Sequence, residues 1–367
     1  MQVDTLIYAY LAICCSMIIF NTVCIFIFSH REKKMTKVSK RFQKQAEAQI
    51  ERIFKEKNAA PRHIRYLKKR LKRTGNLLAF DMVLEQLQRE NPAHSAAYLE
   101  AIHPVFVYLA EKYQHKDEIH VTFFLYILRK YRLLHHHVRD YTDELALKLI
   151  KAPSIYCRQN ALEAIYASGN VEYVLLALRT IDESGVYHNA KLITDGLLKF
   201  IGNRKRLAAR LWESLPLFSV DMQVALLNYF RFSSDKHRQP FLELLADEKQ
   251  HDEIRFSCIR YLGKYPYRHA FPLLLKLADE KNVSRWEYAA IASSALASYS
   301  HPDTIEALKN NLQSSNWYVR FNASSSLEAL GVSDHDMAEI FSGSDRYARE
   351  MLRYRLEQRD ARKENEG

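Results

Sequence analysis

The stretch Trp317–Gly331, WYVRFNASSSLEALG, sets the pattern for most of this 367-residue chain. Its apolar residues are spaced by four, four and three positions, which is the period of an α-helix with one buried face. Small residues fill the neighbouring positions, so another helix can approach closely. Gly331 follows the last apolar position, where a left-handed residue ends a helix at the least steric cost. The apolar positions are Val319, Ala323, Leu327 and Leu330.

Copies of this unit recur when the chain is aligned on residues 319 and 320. Successive matches are 65, 32 and 65 residues apart, so the period is about 32, and unmarked copies are expected near residues 190 and 287. A second helical pattern precedes each copy, and short breaks separate the helices. The matching pairs are Cys157 with Arg158, Met222 with Gln223, Ile254 with Arg255, and Val319 with Arg320.

The run Val-Arg-x-x-Ala-x-x-x-Leu-x-x-Leu-Gly at 319–331, and a weaker run at 254–263, resemble HEAT repeats of the short bacterial form related to phycobilisome-lyase repeats. The resemblance covers about 143–331. It implies an all-α fold, a right-handed α-α superhelix of the HEAT/ARM-like solenoid type, and it hardly constrains activity. We predict this order: a transmembrane helix (5–29), a basic juxtamembrane stalk (30–73), an N-terminal cap or degenerate repeats (74–142), HEAT-like repeats (143–331), a C-terminal cap (332–356) and a disordered tail (357–367).

Thr5–Ser29 contains no charged residue in 25 positions. At about 1.5 Å per residue, such a helix crosses a bilayer with some tilt. A cleaved signal peptide is the alternative, but it begins with basic residues and has a shorter apolar core. This chain begins Met-Gln-Val-Asp, so we predict a retained single-pass anchor.

The charges on either side of the anchor predict its orientation. Asp4 precedes it, and seven Lys or Arg residues follow between positions 31 and 44. The positive-inside rule then places the N-terminus outside the cell membrane and the solenoid in the cytoplasm. Five cysteines without a CxxC motif agree with a reducing compartment.

The formal net charge of +11 is concentrated in one block. Residues 31–73 contain 17 Lys or Arg and 4 Glu, whereas residues 74–367 carry a net charge of −1. A nucleic-acid partner is therefore not expected in the solenoid, because phosphate contacts dominate that affinity. Pro61–Arg73 contains no acidic residue and is either a flank that fixes topology or a surface that attracts anionic lipid. We expect lipid contact through Arg62, Arg65, Lys68, Lys69, Arg70, Lys72 and Arg73.

Motifs for catalysis are missing from the sequence. Histidines are frequent between residues 94 and 141, but there is no HExxH motif and no His-Glu pair of the kind that holds iron in the HEAT-type deoxyhypusine hydroxylases. We interpret the run His135–His137 as a helix end. HEAT-like DNA glycosylases use Trp and Arg, which also occur here, but the anchor and the near-neutral repeats argue against that activity. We assign no catalytic residue, metal or cofactor.

The leading hypothesis is a non-catalytic scaffold that binds a protein partner, a membrane enzyme or its regulator, in the solenoid groove. An enzyme with its active site in 94–141 and a sensor of a soluble ligand are the alternatives. Trp, Tyr and Arg are the side chains most often found as binding anchors. The alternative role is structural, because a repeat Arg commonly ties neighbouring repeats and Trp can fill their core. The expected binding residues, all near the starts of second helices, are Arg255, Arg285, Trp286, Trp317, Tyr318 and Arg320.

Overall fold

The computed structural model describes residues 2–134, 140–333 and 335–366, and over these residues the protein is helical without a β-strand. The all-α fold class is therefore confirmed. The chain forms two compact units, residues 1–186 and 187–367, which we call the N-terminal unit and the C-terminal unit. Their boundary falls inside 143–331, which the sequence predicts as one run of repeats.

Eight α-helices belong to the described part of the N-terminal unit. They are α1 (Gln2–Glu56), α2 (Pro61–Arg70), α3 (Thr74–Glu90), α4 (Pro92–Tyr113), α5 (Glu118–Lys130), α6 (Tyr141–Leu149), α7 (Ile155–Ser168) and α8 (Val171–Glu183). The predicted helix end at residues 135–137 lies outside the described residues.

The described part of the C-terminal unit contains eleven α-helices and three short 3₁₀ turns. The helices are α9 (Ala190–Leu198), α10 (Arg204–Ser214), α11 (Val220–Ser233), α12 (Arg238–Ala246), α13 (Asp252–Lys264), α14 (Phe271–Ala278), α15 (Trp286–Leu296), α16 (Pro302–Leu312), α17 (Trp317–Ala329), α18 (Ala338–Ser342) and α19 (Arg346–Glu366). The 3₁₀ turns are Leu215–Leu217, Arg268–Ala270 and Val283–Arg285. The last helix continues through the residues predicted as a disordered tail.

Helix α1 changes its environment along its length. Its described side chains between residues 8 and 30 are exposed or partly exposed, and the apolar part of the helix is long enough to cross a membrane. Its second half, the predicted stalk, packs against α3 and α4 through one buried stripe. The ring of Phe42 lies edge-on to that of Phe80, with 5.4 Å between centroids. The stripe consists of Phe42, Ala46, Ile50 and Ile53, spaced at the helical period.

Alternate helices of the C-terminal unit pack against one another. Contacts join α9 to α11, α11 to α13, α13 to α15, α15 to α17, and α17 to α19. Small residues lie where these helices approach, as expected for close backbone contact. A Cβ placed on Gly263 of α13 would lie 2.8 Å from the Cα of Ala295 on α15. In α17, Val319, Ala323 and Leu327 are buried as predicted, and Gly331 has a positive φ of 70°.

One contact recurs at the four residues on which the repeat was aligned and at Arg349 of α19. Each lies near the start of its helix and donates a hydrogen bond to a carbonyl at or after the end of the preceding helix. A hydrogen bond from a charged group contributes about 1.5–3 kcal/mol to folding stability, so the arginine contacts hold consecutive helices together. The pairs are Arg158 with Ala152 (2.7 Å), Gln223 with Phe218 (2.8 Å), Arg255 with Leu245 (3.1 Å), Arg320 with Ser314, and Arg349 with Gly343.

Candidate functional site

Four aromatic side chains form a continuous row on the C-terminal unit, which we call the aromatic surface: Trp286, Trp317, Tyr318 and Phe321. The rings of Trp286 and Tyr318 are stacked, with 5.2 Å between centroids and 18° between planes. Trp317 lies edge-on to Tyr318 at 5.2 Å and stacks on Phe321 at 4.8 Å. Trp317 is 55% exposed and Tyr318 56% exposed. Large rings held in place but open to water are available to a partner.

Two neighbouring helix starts create this surface. Trp286 is the first residue of α15, Trp317 is the first of α17, and the two helices pack against each other. The Asn316 side chain accepts hydrogen bonds from the amides of Tyr318 and Val319, which orients the first turn of α17. Trp286 rests on a buried cluster of Ala289, Ala290 and Val319. The inner side of the row is therefore anchored in the core, while the outer side faces solvent.

Arginines flank the aromatic surface. The Arg355 guanidinium lies 4.2 Å from the centroid of Phe321. Arg285 lies 4.6 Å from the centroid of Tyr288 and 3.6 Å from the carboxylate of Glu280. The Tyr288 hydroxyl donates a 2.5 Å hydrogen bond to Asp252, which holds that ring below Arg285. Arg285 therefore interacts with both Glu280 and Tyr288, and its side chain is 41% exposed.

Arg255 and Arg320 are engaged by the chain itself. Arg255 is 4% exposed, and its guanidinium lies 4.9 Å from the Tyr288 ring centroid. Arg320 forms a 2.9 Å ion pair with Asp345, and this hydrogen bond lowers the pKa of that carboxyl. The structure thus brings Trp286, Trp317 and Tyr318 together on one surface and places these two arginines beneath helix ends.

Phe321 and Arg355 were not among the residues expected from sequence. Phe321 lies four residues after Trp317, so the spacing of two aromatic side chains on one helix face could have identified it. Arg355 lies on α19, and nothing in its local sequence indicates contact with α17. Trp286 also borders a pocket of about 280 Å³ whose other walls include Asn310, Asn316 and Val319.

The seven predicted membrane-surface residues lie on α2 and in the three positions after it, and we call them the basic side of α2. Leu67 and His63 face the core, while six of the seven basic residues are exposed and Lys68 is partly so. No carboxylate within the described ranges pairs with any of the seven. The ammonium groups of Lys68 and Lys72 each lie 5.3 Å from the ring centroid of Tyr108 on α4, so these two lysines pack over that helix. Burial lowers the pKa of His63 to about 4, so its imidazole adds no charge at neutral pH.

The histidine-rich segment makes a hydrogen bond to a carboxylate in the part of the chain that is described. His103 Nε2 lies 2.7 Å from Asp140 Oδ2, and Asp140 caps α6 through the amide of Thr142. Burial opposes ionisation of Asp140, but the hydrogen bonds from His103 and Thr142 outweigh it and lower its pKa to about 2. Among the described residues, no cluster of three or more His, Cys, Asp or Glu side chains could hold a metal ion.

Asp143, in the same capping box, has the opposite shift, because burial raises its pKa to about 6. Between pH 4 and 6 the Asp143 carboxyl stays protonated in the folded chain but is ionised in the unfolded chain. Ionising the buried carboxyl costs free energy, so the stability that its protonated form provides is lost as the pH rises through that range. We expect Asp143→Asn to raise the free energy of unfolding by about 2 kcal/mol at pH 8 and to leave it nearly unchanged at pH 4. Urea unfolding at the two pH values measures this.

Asp117→Asn is the matched control, because the Asp117 side chain is 90% exposed in the same unit. Its effect should stay within about 0.5 kcal/mol at both pH values. Equal stabilisation by Asp143→Asn at pH 4 and pH 8 would contradict the buried charge as its cause.

Together these features define an all-helical protein with one candidate membrane-spanning helix and an exposed aromatic surface on its C-terminal unit. No protein-family model matches the chain, and no curated protein is detectably similar to it.

Proposed function

We propose that this protein is a membrane-anchored, non-catalytic scaffold of HEAT-like helical repeats that binds a protein partner, a membrane enzyme or its regulator, through its aromatic surface. The anchor crosses the cell membrane once, with the N-terminus outside and the chain after the anchor in the cytoplasm. The observation that carries the proposal is the continuous row of Trp286, Tyr318, Trp317 and Phe321. Its two central rings, Tyr318 and Trp317, are more than half exposed.

The repeat assignment is supported by packing and by the recurrent helix ties. In the C-terminal unit, contacts between alternate helices recur along the sequence, as they do in stacked helical pairs. Each residue that makes this contact lies four positions after the residue that immediately precedes its helix. The pairs are Arg158 after Ser154, Gln223 after Ser219, Arg255 after His251, Arg320 after Asn316, and Arg349 after Asp345. A shared register of this kind is expected of repeats built on one plan.

A protein partner is supported by the chemistry of the aromatic surface. Tyr and Trp present large contact areas at little cost in conformational entropy, and both are enriched among residues that dominate binding energy. The neighbouring pocket of about 280 Å³ can accept a single side chain of such a partner. Arg285 and Arg355 at the margin favour a partner with acidic residues beside its apolar ones.

The cytoplasmic location is supported by charge. The residues that follow the apolar part of α1 are rich in Lys and Arg, and the basic side of α2 is free of carboxylate partners among the described residues. Each surface Lys or Arg near an anionic membrane leaflet contributes about 1 kcal/mol to the free energy of membrane binding. A scaffold held in this way presents its aromatic surface to proteins that share the same membrane.

We expect replacement of Trp317 and Tyr318 by Ala to abolish partner binding without loss of folding. Truncation of such anchors typically costs about 2 kcal/mol or more, which is roughly thirtyfold in affinity. A photo-crosslinking amino acid at position 317 should join the partner in intact cells, and mass spectrometry of the captured complex identifies it. The melting temperature of the double variant should match that of the parent chain, because both side chains are more than half exposed.

Tyr156→Ala is the matched control. Tyr156 is the second residue of α7, as Tyr318 is of α17, and it is 72% exposed, but it belongs to the N-terminal unit and to no aromatic row. This variant should capture the partner normally. A fall in melting temperature that accounts for all lost capture would make Trp317 and Tyr318 structural residues and remove the proposed interface.

A further inference from the structure

A second concave site lies in the C-terminal unit, among α9, α10 and α11, and none of its lining residues belongs to the aromatic surface. Its cavity measures about 670 Å³, within the range of small-molecule sites. Cations line one part and apolar side chains another, and no acidic residue is among those that line it. The lining residues used below are Leu197, Arg204, Lys205, Tyr229, Phe232 and Lys236.

The cations of this cavity lack counter-ions. Arg204, Lys205 and Lys236 form no ion pair with a described carboxylate, and all three residues are exposed to solvent. Arg204 donates hydrogen bonds to the backbone carbonyls of Leu198 and Phe200, each at 3.4 Å. The two lysine ammonium groups have no protein partner among the described residues. Three positive charges around one concavity repel each other, and a bound anion would remove that cost.

More positive charge surrounds the wall of the cavity. The Phe232 ring has the Arg231 guanidinium 4.8 Å and the Lys264 ammonium 4.9 Å from its centroid. Desolvation and then the like charge of Arg260 lower the pKa of Arg231. The Arg231 Nε is buried without a hydrogen-bond acceptor among the described residues. The local field is therefore positive, although the total charge of residues 74–367 is −1.

We infer that this cavity binds a small phosphate-bearing ligand, whose phosphate contacts Lys205, Lys236 and Arg204 while its apolar part lies against Leu197 and Tyr229. Two lysines and an arginine that line one cavity suit a multiply charged oxyanion better than a carboxylate. The concave shape favours a compact ligand over an extended polyanion. The phosphate can belong to a soluble metabolite or to a lipid headgroup, and the experiment separates these sources.

The test uses the full chain in phosphatidylcholine nanodiscs, titrated calorimetrically with pyrophosphate and, separately, with short-chain phosphatidic acid. We expect saturable binding of at least one probe. Combined Lys205→Gln and Lys236→Gln should weaken it at least tenfold, because each removed ammonium is a charge-assisted donor. Both side chains are exposed, and neither ammonium group has a hydrogen-bond partner among the described residues, so the double variant should fold normally. Lys249→Gln, an exposed change of the same charge type elsewhere in the unit, should bind as the parent does.

The two probes distinguish the ligand sources within the proposal. Tighter binding of pyrophosphate assigns the site to soluble phosphate compounds, and tighter binding of phosphatidic acid assigns it to lipid headgroups. Either result supports a phosphate site. The inference is overturned if neither probe binds, or if the double variant retains the parent affinity for the probe that does. Partner capture through Trp317 is expected to be unaffected by Lys205→Gln and Lys236→Gln, so the two proposals fail separately.

Discussion

A chain without residues 2–30 is expected to leave the membrane fraction, whereas the full chain should remain there through alkaline carbonate extraction. Thirteen large apolar side chains between residues 8 and 28 are exposed on α1, and none of these packs into the protein core. A soluble protein rarely exposes so much continuous apolar surface. In a lipid bilayer the same surface is stable, because each Leu, Ile, Phe or Val lowers the free energy of membrane insertion.

The structure indicates where the chain can be cut. Among the described side chains of α1, the first that is buried is Phe42, which contacts Phe80 of α3. A deletion that ends at residue 30 therefore removes no core contact, and the shortened chain should keep its helical circular dichroism. It should also be washed from membranes by 1 M salt, because the remaining attraction of the basic side of α2 is screened at that ionic strength.

Sidedness is measured on the same pair of chains. A reporter that is active only in the cytoplasm, fused after residue 367, should be active on the full chain. As a control, an unrelated apolar span in place of residues 2–30 should restore resistance to carbonate. Membrane retention of the shortened chain in 1 M salt would show that another segment holds it, and the anchor would have to be reassigned.

Gly263→Ala is expected to destabilise the C-terminal unit by forcing two packed helices apart. The new Cβ would lie 2.8 Å from both the Cα and the Cβ of Ala295, closer than carbon atoms normally approach. Because one of the contacting atoms is backbone, α13 and α15 must move apart rather than rotate a side chain. Overpacking of this kind costs about 1–3 kcal/mol. Urea unfolding of the chain without residues 2–30 measures the loss.

Gly75→Ala is the matched control for that substitution. Gly75 lies in α3, and a Cβ placed there has no neighbour within 4 Å. Replacing an exposed helical glycine by Ala favours the helix by about 0.5–1 kcal/mol, so this variant should be neutral or more stable. Adding Ala295→Gly to Gly263→Ala removes one of the two clashes and should restore part of the stability. Equal stability of the Gly263 and Gly75 variants would disprove the close contact.

The sequence alone predicted much of the local structure. Apolar spacing identified the helices of the C-terminal unit, and the position of Gly331 identified the end of α17, because both depend on the geometry of a single helix. The uncharged first part of α1 could also be recognised without a fold, since the length of an apolar run is a one-dimensional property.

The roles of the arginines and tryptophans required the tertiary structure. In sequence, Arg255, Arg320 and Arg285 all lie near helix starts, yet the first two donate hydrogen bonds to neighbouring helix ends, whereas Arg285 is partly exposed at the surface. Trp286 and Tyr318 are 32 positions apart, and their stacking depends on the register of α15 against α17. That register is set by small residues at helix contacts and cannot be read from either helix by itself.

Charge was the property for which the sequence was least informative. A net charge of −1 over residues 74–367 does not show where positive and negative side chains cluster, because a sum carries no information about position. Folding brings Arg204 and Lys205 of α10 next to Lys236, which follows α11, and it leaves no acidic residue in the cavity they line. Residue spacing therefore determined which faces of the helices are buried. Only the packing of those helices decided which rings form a surface and which cations share a cavity, because both depend on distances between segments far apart in the chain.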